Sequence, residues 1–460
     1  MNDAARRENA RMLAQLVGQS EEHAGELLDA CVGITVNPED VVAGVLAQEV
    51  HQLLTRTLTA VLVNAPSLEN AVSVEVVIGS AEPRHDAKRV HVSIDGRRVT
   101  VSAARHRHRP ESVAPVVLLL ASCYVCAAAV KSLLGEMLPF QTPETLVVDI
   151  DRLLGADVSL IDQEIDFGEA FLAGAGAIGN GFVLGLSKLS LRGTLHVVDD
   201  DVVSDGNLQR CILFSDADVD QPKADVLKRA AESLMPQVEF VPHTVRLQDV
   251  PQKKAGAWLR RLVVAVDSPR ARRELQAEIP REVFDASTTG AEEIVLHSHL
   301  QPTAGACLAC VYRHSPQEDA RERHIAESLG VTVADVRELR VSPRCARAIC
   351  NRYSYLRPQD IEDAAYDTLF KALCSTSRLI TPEGRQVLAP FAFVSVLAGA
   401  MLALEFVRRV ARGHAGLYNE WRLSPWNNPV ARRRQSLERA PDCEFCGNPI
   451  LRRLANEIWG

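Results

Sequence analysis

The sequence predicts an α/β protein: a mostly parallel sheet with helices on both faces, preceded by an N-terminal α+β domain and interrupted by a helical insert. Three observations carry this prediction. From Phe171 onward, short apolar stretches alternate with amphipathic ones, as strands and helices do in a parallel sheet covered on both sides. Before that point, Val72, Val74, Val76 and Ile78 alternate with other residues. Val90, Val92 and Ile94 then lead through Asp95-Gly96 to Val99 and Val101, the pattern of a β-hairpin. Between 312 and 373, polar helical sequence such as HIAESLGVTVADVREL breaks the strand–helix alternation.

Taken in order, residues 1–65 read as helical, starting with the amphipathic MNDAARRENARMLAQL, which does not resemble a secretory signal. Strands are expected at Phe171–Gly174, Thr194–Asp199, Val238–Pro242, Leu262–Asp267, Glu282–Asp285 and Glu293–His297, with helices between them. The organisation expected is an N-terminal domain at 1–160, a sheet domain at 161–311, the helical insert at 312–373 and a closing segment at 374–460. Two uncharged runs, Val113–Val130 and Val387–Leu404, reach about 18 residues, the lower edge for crossing a bilayer. Both are rich in Ala and read as buried core helices of a cytoplasmic protein without a membrane partner. They also echo one another: APVVLLLASCYVCAAAVKSLLGE begins at Ala114 and APFAFVSVLAGAMLALEFVRRV at Ala389. A duplication would make residues 1–150 a shortened copy of the sheet domain without its glycine loop; two unrelated buried helices would give the same echo.

Of the 460 residues, 47% are hydrophobic and 24% charged, and the net charge is 51 − 59 = −8. An acidic chain lacks the basic excess that nucleic acid requires, and the run Arg105–Arg109 is short enough to be a solvated loop.

The segment GAGAIGN starts at Gly174, after an apolar strand and before a helix. Gly174, Gly176 and Gly179 at this spacing let backbone amides approach phosphates at a helix N-terminus, the Rossmann-like arrangement. The next strand, TLHVVDD, delivers Asp199 twenty residues after Gly179, where a carboxylate receives ribose hydroxyls. A dehydrogenase would fit up to this point. It has no use for the polar residues that follow, Asp201, Asn207, Arg210 and Lys223, the last directly after Pro222 at a helix start. Cations and amide donors placed there suit a triphosphate whose pyrophosphate departs. Asp267, at the tip of a later strand, is the carboxylate expected to hold Mg2+.

This combination, HVVDDDVVSDGNLQR…QPKADV, closely resembles the ThiF/MoeB/HesA family, adenylating enzymes that also form the core of ubiquitin-activating enzymes. Gly174, Gly176, Gly179, Asp199, Asp201, Asn207, Leu208, Arg210, Lys223 and Asp267 match its pattern. Cys211 stands where the family usually has Gln, and Gly206 where it has Ser. The resemblance covers about 165–310 and 385–450. It implies ATP and Mg2+ as cofactors, with Arg210 and Lys223 assisting catalysis. The family also uses an arginine from a partner's N-terminal helix. The matching segment is absent before Gly174, which leaves the N-terminal domain or a second chain to supply it.

The eleven cysteines sort by spacing. Cys307-Leu-Ala-Cys310 and Cys443-Glu-Phe-Cys446 are two chelating arms expected to form a structural Zn2+ site of four thiolates. Cys123 and Cys126 lie in an apolar helix and, like Cys31, read as core thiols. Cys374, in LFKALCSTS, is the nucleophile expected to take the acyl group as a thioester, because family members carry their reactive thiol in this crossover region. Cys345 and Cys350, flanked by arginines, are the alternatives.

The expected function is therefore activation of a ubiquitin-like protein: its C-terminal tail is adenylated with ATP and transferred to an enzyme cysteine, then to a conjugating-enzyme partner. The resemblance further implies a homodimer or a pseudo-dimer through the N-terminal domain, and a setting in bacterial antiviral defence. The alternatives are a sulfur-carrier adenylyltransferase, a tRNA-modifying adenylating dehydratase and an inactive scaffold.

Overall fold

The computed structural model describes residues 2–66, 72–111, 113–251, 258–338, 340–362, 364, 366, 369–370, 373, 391–413, 418–429 and 434–460. It divides into two compact units, Met1–Tyr312 with Leu388–Gly460, and Arg313–Val387.

The N-terminal half of the larger unit runs through α1 (Asp3–Val17), α2 (Glu21–Leu28), β1 (Cys31–Val36), α3 (Val41–Leu54), β2 (Ala60–Val63), β3 (Val72–Ile78), β4 (Lys88–Asp95), β5 (Arg98–Ser102), α4 (Pro115–Leu134), β6 (Thr145–Asp149) and α5 (Ile150–Leu154). The strands form one sheet in the order β2-β1-β3-β4-β5-β6. It is parallel as far as β4 and antiparallel from there. The all-helical expectation for 1–65 is thus corrected. CVGITV is a β-branched run that becomes the buried strand β1, and AVLV becomes the edge strand β2.

The second half continues with β7 (Ile165–Ala173), α6 (Ala177–Leu186), β8 (Leu191–Val198), α7 (Lys223–Leu234), β9 (Val238–His243), β10 (Arg261–Val264), α8 (Pro269–Ala277), β11 (Glu282–Thr289), β12 (Glu293–Leu300) and α9 (Leu308–Val311). The smaller unit then supplies α10 (Pro316–Leu329), α11 (Val333–Arg337), α12 (Pro343–Arg352) and α13 (Pro358–Ile361), packed around Ile325, Leu329, Cys345, Ile349 and Tyr366. The chain returns to the larger unit as α14 (Ala392–Arg412), β13 (Glu420–Leu423), β14 (Arg434–Gln435) and a final helix, Pro449–Trp459. The second sheet has the order β14-β13-β12-β11-β10-β7-β8-β9. All six strands expected from the sequence are present with shifted ends, and β10 stops at Val264, short of Asp267.

The two sheets repeat one layout. The order β2-β1-β3-β4-β5-β6 is matched by β8-β7-β10-β11-β12-β13. A helix follows the first parallel strand in each (α3, α6). A long apolar helix leads into the strand that follows the hairpin in each (α4 into β6, α14 into β13). The echo between the two apolar runs is therefore an echo of position as well as composition.

These helices build the common core: α14 packs on α6, α4 and α3. Where α14 crosses α6 the backbones touch. A Cβ on Gly399 would lie 2.2 Å from the carbonyl carbon of Gly181, a contact open only to glycine. The segment Pro115–Met137 is long and apolar enough to cross a membrane by length and composition, but α4 is buried along most of its length in this core. Cys123 and Cys126 are buried there. Cys31, expected in the core, is only half-buried at the start of β1.

Candidate active site

At the C-terminal end of β7 the chain turns through Gly174, whose φ is +102° and whose Cβ would sit 2.7 Å from the Ala265 carbonyl oxygen beyond β10. A Cβ on Gly179 would lie 2.2 Å from the Gly174 oxygen. These two glycines are demanded by the backbone. Gly176 is not: the space around its missing Cβ is open. It is the N-cap residue of α6, and no side chain caps that helix. The partial positive charge of the helix and its first amides are left for a ligand. Asn180, fully buried, holds the loop. Its Nδ2 donates to the carbonyls of Ala175 (2.9 Å) and Gly176 (3.0 Å), and its Oδ1 accepts from the Leu213 amide at 3.0 Å.

Asp199 lies directly against this loop. One carboxylate oxygen accepts from the Ala175 amide at 2.6 Å and the other from the Asp201 amide at 2.9 Å. Burial pushes its pKa above the usual 3.8. Lys223 opens α7, as its place after Pro222 predicted, with its Nζ 2.9 Å from an Asp201 carboxylate oxygen. Burial works against its ammonium, but Asp199 and Asp201 outweigh that and hold the pKa above the ordinary lysine value.

Asn207 ends a single 3-10 turn, Asp205–Asn207, and its Oδ1 accepts from the Ser204 amide at 3.1 Å. Part of its polarity is spent on that turn. Arg210 follows, with its guanidinium in no hydrogen bond or ion pair among the described residues. Asp267 is exposed beyond β10, next to the Ala265-Val266 backbone that crowds Gly174. It does not cap α8; Ser268 does, accepting from the Ala271 amide at 2.9 Å. Behind it Arg272 is buried, bonded to Asp285, to the Val266 carbonyl and, at 2.9 Å, to Tyr312 Oη.

The N-terminal half reaches this site. Asn2 Nδ2 donates to Asp205 (2.7 Å) and Asp216 (2.9 Å), and α1 packs on the Asp205–Asn207 turn. Arg56, just past α3, donates to three carbonyls of the loop that carries Arg210. Arg7 on α1 is exposed, and its Nε donates only weakly, to the Asp3 carbonyl at 3.3 Å.

The four cysteines of the two C-x-x-C arms converge, with their sulfurs all within 4.8 Å of one another. Cys307 lies 3.8 Å from Cys310, 3.7 Å from Cys443 and 3.2 Å from Cys446. A tetrahedral zinc with bonds of about 2.3 Å would set such sulfurs about 3.8 Å apart. The Ala440 amide points at Cys310 Sγ (3.4 Å) and the Cys446 amide at Cys443 Sγ (3.3 Å), as suits thiolates. The donor set fits a closed tetrahedral metal.

The family model described as the ThiF family matches residues 152–445. The chain belongs to the ThiF family. A second model, the E1 N-terminal domain, matches residues 1–154, so this is an E1-like member of a family of adenylyltransferases. "Uncharacterized protein y4jF" of Sinorhizobium fredii is 29% identical over 363 residues, 73% of this chain and 68% of that protein. The sulfur carrier protein ThiS adenylyltransferase of Escherichia coli is 28% identical over 188 residues, 40% of this chain and 71% of that protein. The NEDD8-activating enzyme E1 catalytic subunit of Arabidopsis thaliana is 31% identical over 122 residues, 24% of this chain and 27% of that protein.

Cys374 lies outside the described residues of this ThiF-family chain. Of its alternatives, Cys345 is buried at 2% exposure and Cys350 half-buried, both on α12. Asn180 stands inside GAGAIGN but is not among the residues that the glycine spacing points to, and no local pattern marks Arg56. The expectation that Arg105–Arg109 is a solvated loop is corrected for His108, whose side chain is tucked against Asp40 at 2.6 Å because the loop folds back over the end of β4.

Proposed function

We propose that the chain uses ATP to adenylate the C-terminal carboxylate of a ubiquitin-like protein and then takes the acyl group onto a cysteine. The observation that carries this reading is the uncapped N-terminus of α6 at Gly176, beside the Asp199–Asp201–Lys223 cluster, in a ThiF-family chain whose first 154 residues match the E1 N-terminal domain.

In the first step the tail carboxylate attacks the α-phosphate and pyrophosphate leaves, so no enzyme nucleophile is needed. Gly174, Gly176 and Gly179 admit the phosphates to the α6 amides, and Asp199 accepts from the ribose hydroxyls. Lys223 and Arg210 take up the charge that grows on the departing pyrophosphate. Asp267, an exposed carboxylate suited to a hard cation, would hold Mg2+, which supplies further charge neutralisation when bound. Arg7 on α1 is the candidate for the arginine that the family otherwise borrows from a partner. In this reading the N-terminal half stands in for a second subunit. Zn2+ on Cys307, Cys310, Cys443 and Cys446 is structural, and the protein works in the cytoplasm.

In the second step the Cys374 thiolate attacks the mixed anhydride and AMP leaves, giving a thioester for a conjugating enzyme. The test is ATP–pyrophosphate exchange that requires an added ubiquitin-like protein, followed by a gel shift of the covalent adduct. The adduct should vanish with reducing agent and in Cys374→Ala. An adduct that survives in Cys374→Ala and is lost in Cys345→Ala or Cys350→Ala reassigns the thiol. Absence of exchange removes the reading.

A sulfur-carrier adenylyltransferase is the second reading, favoured by the likeness to the Escherichia coli ThiS enzyme over most of that protein's length. It shares the first step and predicts exchange without a conjugating-enzyme acceptor.

A further inference from the structure

The loop Leu208–Phe214 carries Arg210; within its own half the Arg210 and Cys211 amides bond to the Asn207 carbonyl and the Phe214 amide to the Cys211 carbonyl. Asn180 accepts one amide, that of Leu213. On the other side three carbonyls, of Leu208, Ile212 and Phe214, converge on a single cation from the N-terminal half. Arg56 Nη1 donates to Leu208 O at 2.7 Å, and Nη2 to Ile212 O at 3.0 Å and Phe214 O at 2.9 Å. Three carbonyl dipoles aimed at one point repel each other unless a cation sits there, and a planar fork with several donors suits the task better than a point charge.

Arg56 is itself held from behind. The fully buried Asn9 of α1 donates to its carbonyl at 2.7 Å. Leu208, Cys211, Ile212 and Phe214 are buried in the common core, so the loop is seated, while Arg210 itself is only half-buried. Asn2 adds a second tie from the same half, to Asp205 and Asp216 on either side of the loop.

We infer that Arg56 is a positioning residue for nucleotide chemistry: the N-terminal half sets the Leu208–Phe214 loop through it, and so aims Arg210 at the phosphates. This rests on the functional reading above, in which Arg210 meets the triphosphate. It assigns the N-terminal half a part in the site that the missing glycine loop would not lead one to look for.

The test uses the full chain and two probes, MgATP and adenosine, with dissociation constants measured by calorimetry. Arg210→Ala should weaken MgATP by about tenfold, the size of a lost charge-assisted hydrogen bond, and leave adenosine unchanged. Arg56→Ala should do the same by a smaller factor, with Arg56→Lys recovering part of the loss. The double variant Arg56→Ala/Arg210→Ala should bind MgATP no worse than Arg210→Ala alone, because Arg56 acts through Arg210. A general lesion would weaken both probes alike. Equal losses for adenosine and MgATP, or losses that multiply in the double variant, overturn the inference. If Arg56→Ala fails to fold, Arg56→Lys and Arg56→Gln carry the same comparison. A wild-type chain that ignores MgATP sinks the functional reading itself, a result distinct from any of these.

Discussion

Two helices in this chain start just past the C-terminal end of a central parallel strand, and their N-termini are treated in opposite ways. In the second half α6 follows β7 through Gly174-Ala175-Gly176 and begins without a side-chain cap. In the first half α3 follows β1 through Asn37-Pro38-Glu39-Asp40. Asp40 Oδ1 accepts from the Ala43 amide at 2.9 Å, and its Oδ2 lies 2.6 Å from His108 Nε2. His108 in turn accepts at Nδ1 from the Ile94 amide at 3.2 Å, so the proton that remains sits on Nε2 and points at the carboxylate. A Cβ on Gly79 would lie 2.9 Å from His108, which leaves no room beneath the ring. The position that is open and electropositive in one half is filled and negatively charged in the other. One layout can therefore serve as a site or as a scaffold, and the choice is made by a few residues at the strand–helix junction.

The largest expected effect comes from removing charge at the open end. Lys223→Ala should reduce ATP–pyrophosphate exchange by about 10²–10³-fold, the usual loss for one donor to a developing anion. The same exchange assay on Asp40→Ala, in the filled end, should show wild-type rates; a large loss there would dissolve the contrast.

Next in size is Gly176→Val. Its side chain would enter the open space before α6, so MgATP should bind about tenfold more weakly while the melting temperature holds, a loss of about 1.4 kcal/mol in binding. By contrast Gly179→Val should fail to fold well, since its Cβ has a carbonyl oxygen 2.2 Å away. If both variants melted alike and bound alike, the distinction between structural and ligand-facing glycines would be wrong.

A smaller effect, of a few-fold, is expected from pH. Burial raises the Asp199 pKa above 3.8, and only the ionised carboxylate accepts from two ribose hydroxyls. MgATP affinity should fall as pH drops through this raised value, in a range where an ordinary aspartate is still charged, and Asp199→Asn should lose that dependence. The sign for the empty protein is the reverse. A carboxyl raised in the folded state contributes most to stability in acid, and that contribution is lost as pH rises through its folded pKa. Calorimetric titration of both proteins from neutral pH downward checks it.

The smallest effect belongs to the filled end. Asp40→Ala removes a helix cap and the partner of His108, and should cost about 1 kcal/mol of stability in denaturant unfolding without changing MgATP binding.

The side chains gathered around the start of α6, and the two C-x-x-C arms, were legible from the sequence because each depends on short spacing. A glycine must sit where the backbone turns, a carboxylate must end the next strand, and two thiols must be three residues apart on one arm. Asn180 stands inside the same segment, but the glycine spacing does not point to it. The layout of the first half was far less so. β1 was read as helix, because a single β-branched run between helices has little periodicity of its own, and strand pairing with β3 decided its state. Arg56 gave no signal at all. Its partners lie 152 to 158 residues away, and a guanidinium bonded to backbone carbonyls asks nothing of the side chains it meets.

By itself, then, the sequence determined the chemistry that this chain can offer a nucleotide and the ligands that it can offer a metal, since both are set by side-chain type at fixed local spacing. Only the tertiary structure decided that the N-terminal half repeats the sheet of the second, that His108 and Asp40 close its helix end, and that Arg56 crosses between the halves. Those outcomes depend on which backbones come together, and many sequences satisfy the same backbone geometry.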